Sequence, residues 1–258
     1  MERQFLIKLI FASVVISGCQ STNIDKSNEP LLVNDVEQKT EKISIEEDEK
    51  LLSYFDSIWD YIILNSEYKS GSLNEQTLYY MNLHLQDIES FKDYLNDSYY
   101  FIFFVVKKLD EANLPIELAF LPYIESNYDP FSISSSGAVG MWQFMPRTGR
   151  LYELNRSWWN EDRHDPFKST EAAIKYLEYL YLRFDKDLYL TLAAYNAGPS
   201  LLDRQIKKNQ RRGLDTDFWS LDLPAQTQNY VPKFIAISEL ILNPNKYDIE
   251  LPEIPYEP

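Results

Sequence analysis

Leu121-Pro122-Tyr123-Ile124-Glu125-Ser126-Asn127-Tyr128 is an apolar stretch that carries a single acid, Glu125, among isoleucine and tyrosine neighbours. Asn113-Leu114-Pro115 stands just upstream. Proline at a first helical position forfeits no hydrogen bond, so the stretch reads as the end of a helix that begins at Pro115. A carboxylate in such a setting has its charged form desolvated, which raises its pKa toward the value a general acid needs near neutral pH. Ser126 has two readings: its hydroxyl holds the carboxyl group, or, as is commoner for serine there, it caps the helix end locally.

Outward from this point the helical period recurs. Leu52, Phe55, Ile58, Trp59, Ile62 and Ile63 repeat every three or four residues, as do Leu78, Met81, Leu85 and Ile88, and then Phe101, Phe104, Val105 and Leu109. Ser169-Thr170 followed by Glu171 reads as the capped start of a helix reaching Phe184, and Asp187 to Ala197 as another that Gly198 terminates. Pro224 to Leu242 is the last long helix. No stretch sustains two-residue alternation, so the expected fold class is all-α or mainly α.

The chain has 258 residues, 45% hydrophobic and 15% aromatic, ample for a packed core. Its 40 Asp and Glu exceed its 25 Lys and Arg, for a net charge of −15. That excess argues against a nucleic-acid partner or an electrostatic grip on anionic lipid, because neutralising phosphates needs clustered cations. A neutral or peptide-bearing polymer remains allowed. The lone Cys19 excludes an intramolecular disulfide. His84 and His164 are the only imidazoles, so no metal site and no cofactor is expected. Of seven glycines, Gly137, Gly140, Gly149 and Gly198 fall in two short segments, which marks where the backbone turns sharply or meets a ligand.

Residues 1–19 have the layout of an export signal: Arg3 and Lys8, an apolar run from Leu9 to Ile16 too short to span a bilayer as a helix, then Ser17-Gly18-Cys19. Ile16-Ser17-Gly18-Cys19 resembles the bacterial lipobox, in which the cysteine becomes the acylated first residue. A lipid anchor at Cys19 is therefore expected, and Gln20 after it resembles the outer-membrane sorting pattern, facing the periplasm. Residues 20–50 hold nine acids and four bases with few aromatics, the composition of a solvated tether.

Three further segments bring amide and aromatic side chains together, two of them with glycine turns. Ser134-Ser135-Ser136-Gly137-Ala138-Val139-Gly140-Met141-Trp142-Gln143-Phe144 brings tryptophan and glutamine together, a combination that suits the apolar faces and polar groups of sugars. Ala193-Ala194-Tyr195-Asn196-Ala197-Gly198 and Asn229-Tyr230-Val231-Pro232 follow. These motifs, in this order after Ile124-Glu125-Ser126, resemble those of the lytic transglycosylase family. Trp142 and Trp158-Trp159-Asn160-Glu161-Asp162-Arg163 are similar to its membrane-bound lytic murein transglycosylase D branch. The resemblance covers about residues 95–242.

The resemblance implies a goose-lysozyme-like helical fold and non-hydrolytic cleavage of the β-1,4 bond between N-acetylmuramic acid and N-acetylglucosamine in peptidoglycan, leaving 1,6-anhydro ends. It assigns Glu125 as the catalytic acid and then base, with Tyr230 bonded to its carboxyl. Ser126, Ser134, Gln143, Tyr195 and Asn196 fall to the glycan cleft. No second acid stands in any of the four ordered motifs that begin with Ile124-Glu125-Ser126, which fits attack by the sugar's own hydroxyl rather than the carboxylate pair of many glycosidases. Departures from the pattern are Ser132, Ser136, Met141, His164 and Pro199-Ser200, the last at the cleft edge. The C-terminal LysM repeats common in this branch are not seen, so the anchor is expected to supply localisation. Cell-wall synthesis or division machinery is an open partner class. The expected organisation is a signal over 1–19, a tether over 20–50, a helical extension over 51–94, a catalytic domain over 95–242 and a Pro-rich tail over 243–258. Two rivals stay open: a goose-type lysozyme that hydrolyses the same bond, and a silent glycan-binding lipoprotein.

Overall fold

The computed structural model describes residues 55–71 and 73–256. The signal, the tether and Cys19 lie outside the described residues. The chain divides into Met1–Asp56, of which only Phe55 and Asp56 are described, and a compact unit from Ser57 to Pro258. Among the described residues, pairing between extended segments is confined to isolated bridges, and the unit is built of helices.

In chain order these are α1 (Ile58–Asn65), α2 (Glu75–Gln86), α3 (Ile88–Asp97), α4 (Ile102–Glu111), α5 (Leu121–Ser126), α6 (Pro146–Leu151), α7 (Pro166–Arg183), α8 (Leu188–Ala197), α9 (Pro199–Gln210) and α10 (Ala225–Leu242). Side-chain oxygens start five of them. Ser57, Asn74, Asp87, Asp165 and Asp187 each accept from a backbone N–H of the first turn that has no partner within the helix.

Four local details differ from the expectation. The apolar repeat from Leu78 to Ile88 is broken at Asp87, which ends α2 and caps α3. The stretch after Pro115 winds first as a 3-10 turn over Ile116–Phe120 and becomes α-helical only at Leu121. Pro122 explains the change, because it has no N–H to give to the Leu118 carbonyl. Ser169 and Thr170 do not cap a helix but lie buried inside α7, which Asp165-Pro166 starts one turn earlier. Finally, α9 was not anticipated: Gly198, at φ +83°, turns the chain and Pro199 opens a new helix.

Helix α10 is the hub. Its run from Tyr230 to Ile241 is buried except for Lys233, as expected of a helix surrounded by others. It lies against α1, α2, α5 and α8. Buried Glu239 on this helix accepts from Ser70 Oγ (2.8 Å), Tyr68 Oη (3.1 Å), Tyr247 Oη (2.8 Å) and Lys246 Nζ (2.7 Å). The segment after α10 packs back on the first helix. Ile58 N donates to the Ile254 carbonyl at 2.9 Å, Trp59 Nε1 to the Pro252 carbonyl at 2.8 Å, and the Tyr256 ring stacks on Tyr61 at 4.6 Å. Residues 57–94 and 243–256 thus belong to the same unit as the helices between them.

Candidate active site

Glu125 sits in the last turn of α5, which ends when Asn127 takes a left-handed conformation at φ 53°. The residue is half-buried, and desolvation pushes its carboxyl up from 4.5 to about 7, against smaller opposing effects of the Tyr230 hydrogen bond and the Lys233 charge. The buried Tyr230 hydroxyl donates to Glu125 Oε1. Oε2 has no partner among the described residues. Burial and the neighbouring carboxylate push the Tyr230 phenol well above its ordinary value, so it remains a donor. Among the described residues, no second carboxylate stands with Tyr230 and Lys233 as an influence on Glu125.

The loop between α5 and α6 is fixed around this acid. Ser126 Oγ donates to the Met141 carbonyl at 2.9 Å and to the Pro122 carbonyl at 3.3 Å, and makes no bond to the Glu125 carboxyl. Tyr195 Oη donates to the next carbonyl, that of Trp142, at 2.8 Å. Tyr195 nevertheless stands close enough to Glu125 for the carboxylate's charge to raise its pKa, after the larger effect of burial. Ser126 from α5 and Tyr195 from α8 therefore pin consecutive peptide groups. Trp142 corrects an expectation: it is 0% exposed and its indole N–H donates to Thr170 Oγ1 at 2.9 Å, so it is a core residue and presents no face to a sugar.

Gly140 is required by contact as well as by conformation. At φ +82° an added Cβ would lie 1.8 Å from the Arg163 carbonyl oxygen. Arg163, itself buried, reaches into the loop: its Nη1 donates to the carbonyls of Phe144 (2.8 Å) and Gly137 (3.2 Å). Its Nε and Nη2 pair with both oxygens of Glu161 at 2.8 Å each. Such a bidentate pair orients as well as neutralises.

The remaining expected residues divide by what their polar atoms do. Ser134 Oγ accepts from Ala138 N at 2.9 Å and bonds Ser136 Oγ at 2.9 Å, holding its own turn. Half-buried Gln143, at φ 48°, donates Nε2 to the Gly140 carbonyl at 2.9 Å and leaves Oε1 without a partner among the described residues. Half-buried Asn196 accepts from Thr227 Oγ1 at 2.9 Å, and its amide nitrogen has no partner there. Glu125, Ser126, Tyr195, Asn196 and Tyr230 thus gather where α5, α8 and α10 meet the Met141–Gln143 part of the loop, with Gln143 and Asn196 keeping amide atoms unused among the described residues, whereas Ser134 bonds only within its own turn. His164 donates Nδ1 to the Pro130 carbonyl at 2.8 Å. Among the described residues no group of His, Cys, Asp and Glu is disposed to hold a metal ion.

Four residues of this framework went unassigned in the sequence: Thr227, Lys233, Arg163 and Glu161. Thr227 and Lys233 stand one turn before and after Tyr230, on the same face of α10. That spacing was the available signal. Arg163 and Glu161 stand in the Trp158–Arg163 stretch that carries the resemblance, but nothing local reveals the loop they hold.

Residues 104–218 match the family model of the transglycosylase SLT domain. The chain is 34% identical over 257 residues to the membrane-bound lytic murein transglycosylase D of Escherichia coli K12, an alignment covering 95% of this chain and 55% of that protein. A membrane-bound lytic murein transglycosylase F of Alkalilimnicola ehrlichii is 34% identical over 118 residues, 42% of this chain and 24% of that one. The solved structure of the 70 kDa soluble lytic transglycosylase of Escherichia coli aligns with a TM-score of 0.44 at 21% identity, over 90% of this chain and 40% of that chain. The chain spans about half the length of the transglycosylase D relative it matches.

Proposed function

We propose, from the match of residues 104–218 to the transglycosylase SLT domain, that the chain is a peptidoglycan lytic transglycosylase. It cleaves the β-1,4 bond between N-acetylmuramic acid and N-acetylglucosamine without consuming water. Relatives bearing the name lytic murein transglycosylase support this reading. The observation that carries it is the desolvated Glu125 carboxyl with one oxygen bonded by Tyr230 and, among the described residues, no second carboxylate acting on it.

At a pKa of about 7 both protonation states of Glu125 are well populated at neutral pH, as a group that must act first as acid and then as base requires. The proton on Oε2 passes to the glycosidic oxygen as the bond to the muramoyl C1 breaks, and the N-acetylglucosamine portion leaves as an alcohol. The resulting carboxylate takes the proton of the muramoyl 6-hydroxyl while that oxygen bonds C1, closing the 1,6-anhydro ring and restoring the acid. The attacking group is tethered to the reacting carbon, an advantage over free water. A direct hydrolase of the paired type would use a second carboxylate to activate water or attack C1. Asn196 and Gln143 offer their unused amide atoms to the sugar, while Ser126, Ser134 and Tyr195 hold the walls through backbone contacts.

The chain acts from the cell envelope, anchored by acyl chains at Cys19 and facing the periplasm. The Ile16–Cys19 pattern supports this, and multiple acyl chains anchor stably without a spanning segment. No helix among the described residues is long and apolar enough to cross a membrane.

Digestion of purified peptidoglycan tests the catalytic reading, with product masses compared between wild type and Glu125→Gln. Anhydromuropeptides from wild type alone are expected. Reducing ends, one water heavier, would make the chain a lysozyme, and equal products from both proteins would remove Glu125 from the chemistry.

A further inference from the structure

Trp158 and Trp159 are 88% and 83% exposed, whereas Trp59 and Trp142 are buried. The exposed pair sits on a stiff hairpin. Arg156 and Glu161 form an isolated antiparallel bridge, Ser157 N donates to the Asn160 carbonyl at 2.7 Å, Asn160 N donates to Ser157 Oγ at 3.1 Å, and Asn160 Nδ2 donates to Asp162 Oδ1 at 2.8 Å. The two indoles stand edge to face, 5.9 Å apart. Packing of the fold gains little from large rings held in water, and aromatic side chains so presented mark a surface that meets something.

The rings border a groove of about 760 Å³ that Phe131, Ile133 and Val139 also line. That volume lies in the range of ligand sites, about 300–1,000 Å³. Arg156 and Asn160 add polar atoms to it. The groove is built on the candidate active site's own loop, since Phe131, Ile133 and Val139 belong to the segment that carries Ser134 and Gln143. Arg163 fastens the two parts, bonding Glu161 of the hairpin and the Gly137 and Phe144 carbonyls of the loop.

Charge narrows the occupant. Glu161 and Asp165 face the groove beside Arg156 and Arg163, which leaves no net cationic surface for anionic lipid or phosphate. Indole faces with amide and guanidinium groups nearby suit an uncharged pyranose chain, apolar on its ring faces and polar at its edges. We propose that Trp158 and Trp159 hold a stretch of the same glycan polymer beyond the cleft, so that a strand is engaged by the groove while it is cut at Glu125. The polymer's identity rests on the catalytic reading given above; the groove's preference for neutral saccharide does not.

Retention on insoluble peptidoglycan sacculi tests this in a Glu125→Gln background, where strands stay uncut. W158A/W159A lowers retention about tenfold, about 1.4 kcal/mol, and W158F/W159F recovers most of it because ring faces are restored. Titration with neutral chitooligosaccharides shifts tryptophan emission to shorter wavelength in the parent and not in W158A/W159A. Retention equal to the parent would overturn the proposal. So would intact saccharide retention combined with lost binding to phosphatidylethanolamine vesicles, which would make the pair a membrane-facing patch. The two readings fail separately: Trp-dependent retention without anhydromuropeptide release by the wild type would sink the catalytic assignment alone, and normal release with Trp-independent retention would sink this one alone.

Discussion

The hydroxyl of Tyr230 donates to Oε1 of Glu125, joining the middle of the last long helix to the end of a helix 105 positions earlier in the chain. The bond orients one carboxyl oxygen and leaves the other open. It also favours the charged form, partly offsetting the burial that raises the pKa.

Replacing this tyrosine by phenylalanine removes the bond and keeps the ring. Tyr230→Phe should slow turnover by about 5- to 150-fold, the effect of about 1–3 kcal/mol. The same change should move the alkaline limb of the kcat/KM profile to higher pH, because the carboxylate loses a stabilising donor. Steady-state rates over a pH series check both, and an unmoved limb would show that the bond does not act on Glu125.

With Glu125 raised to about 7, kcat/KM should fall as pH rises through that value and the acid form disappears. Stability should follow the same group. The folded state holds this proton more tightly than the unfolded chain, so its contribution is complete below the unfolded value near 4.5 and is lost as pH rises through about 7. Glu125→Gln should therefore keep the fold, abolish turnover, and exceed wild-type stability at pH 8 by more than at pH 4, as read from urea midpoints.

Gly140→Ala places a methyl group where the Arg163 carbonyl already lies, in a conformation L residues avoid. We expect a loss of about 3 kcal/mol or more in chemical unfolding, strain and overpacking together. Gly137, at φ +84° with open space around its Cβ position, carries only the conformational part, so Gly137→Ala should lose about 1–2 kcal/mol.

Glu239 behaves in the opposite sense to Glu125. Burial pushes its pKa up, but Lys246, Tyr247, Ser70 and Tyr68 together bring it below its ordinary value. Its stabilisation is present above the unfolded carboxylate's pKa and is lost as pH falls through the depressed one. Glu239→Ala leaves the Ser70, Tyr68 and Tyr247 hydroxyls without their acceptor, so it should cost about 1–3 kcal/mol near neutral pH and flatten the acid side of the stability profile, measured by urea unfolding between pH 3 and 7.

Much of the helical framework could be read from residues alone because apolar spacing and capping chemistry are local. Asp187 and Gly198 bound α8 as anticipated, and Pro224 immediately precedes α10. Errors came where two local signals competed. Asp165-Pro166 outranked Ser169-Thr170 as a helix start, and Pro199 opened a helix that the spacing did not announce. At the site, an acid amid apolar neighbours was legible at Glu125. The fate of Trp142 was not, because its burial depends on Thr170 in a helix not adjacent in sequence. Likewise, no spacing rule reveals that Ser126 and Tyr195 seize neighbouring carbonyls, since that contact exists only after three elements meet.

The return of the C-terminal segment to the first helix constrains when the molecule can close. Ile58 and Trp59 find their partners at Ile254 and Pro252, nearly two hundred residues later, so the first helix waits for the last residues of the unit before it is stitched in. Contacts of such sequence separation slow folding. Synthesis runs at about 5–20 residues per second, so a chain emerging from the ribosome would carry the apolar face of that helix unsatisfied for roughly 10–40 s. That delay is compatible with export of the chain before it folds, and the two ends of the finished unit come to lie side by side, a geometry suited to circular permutation.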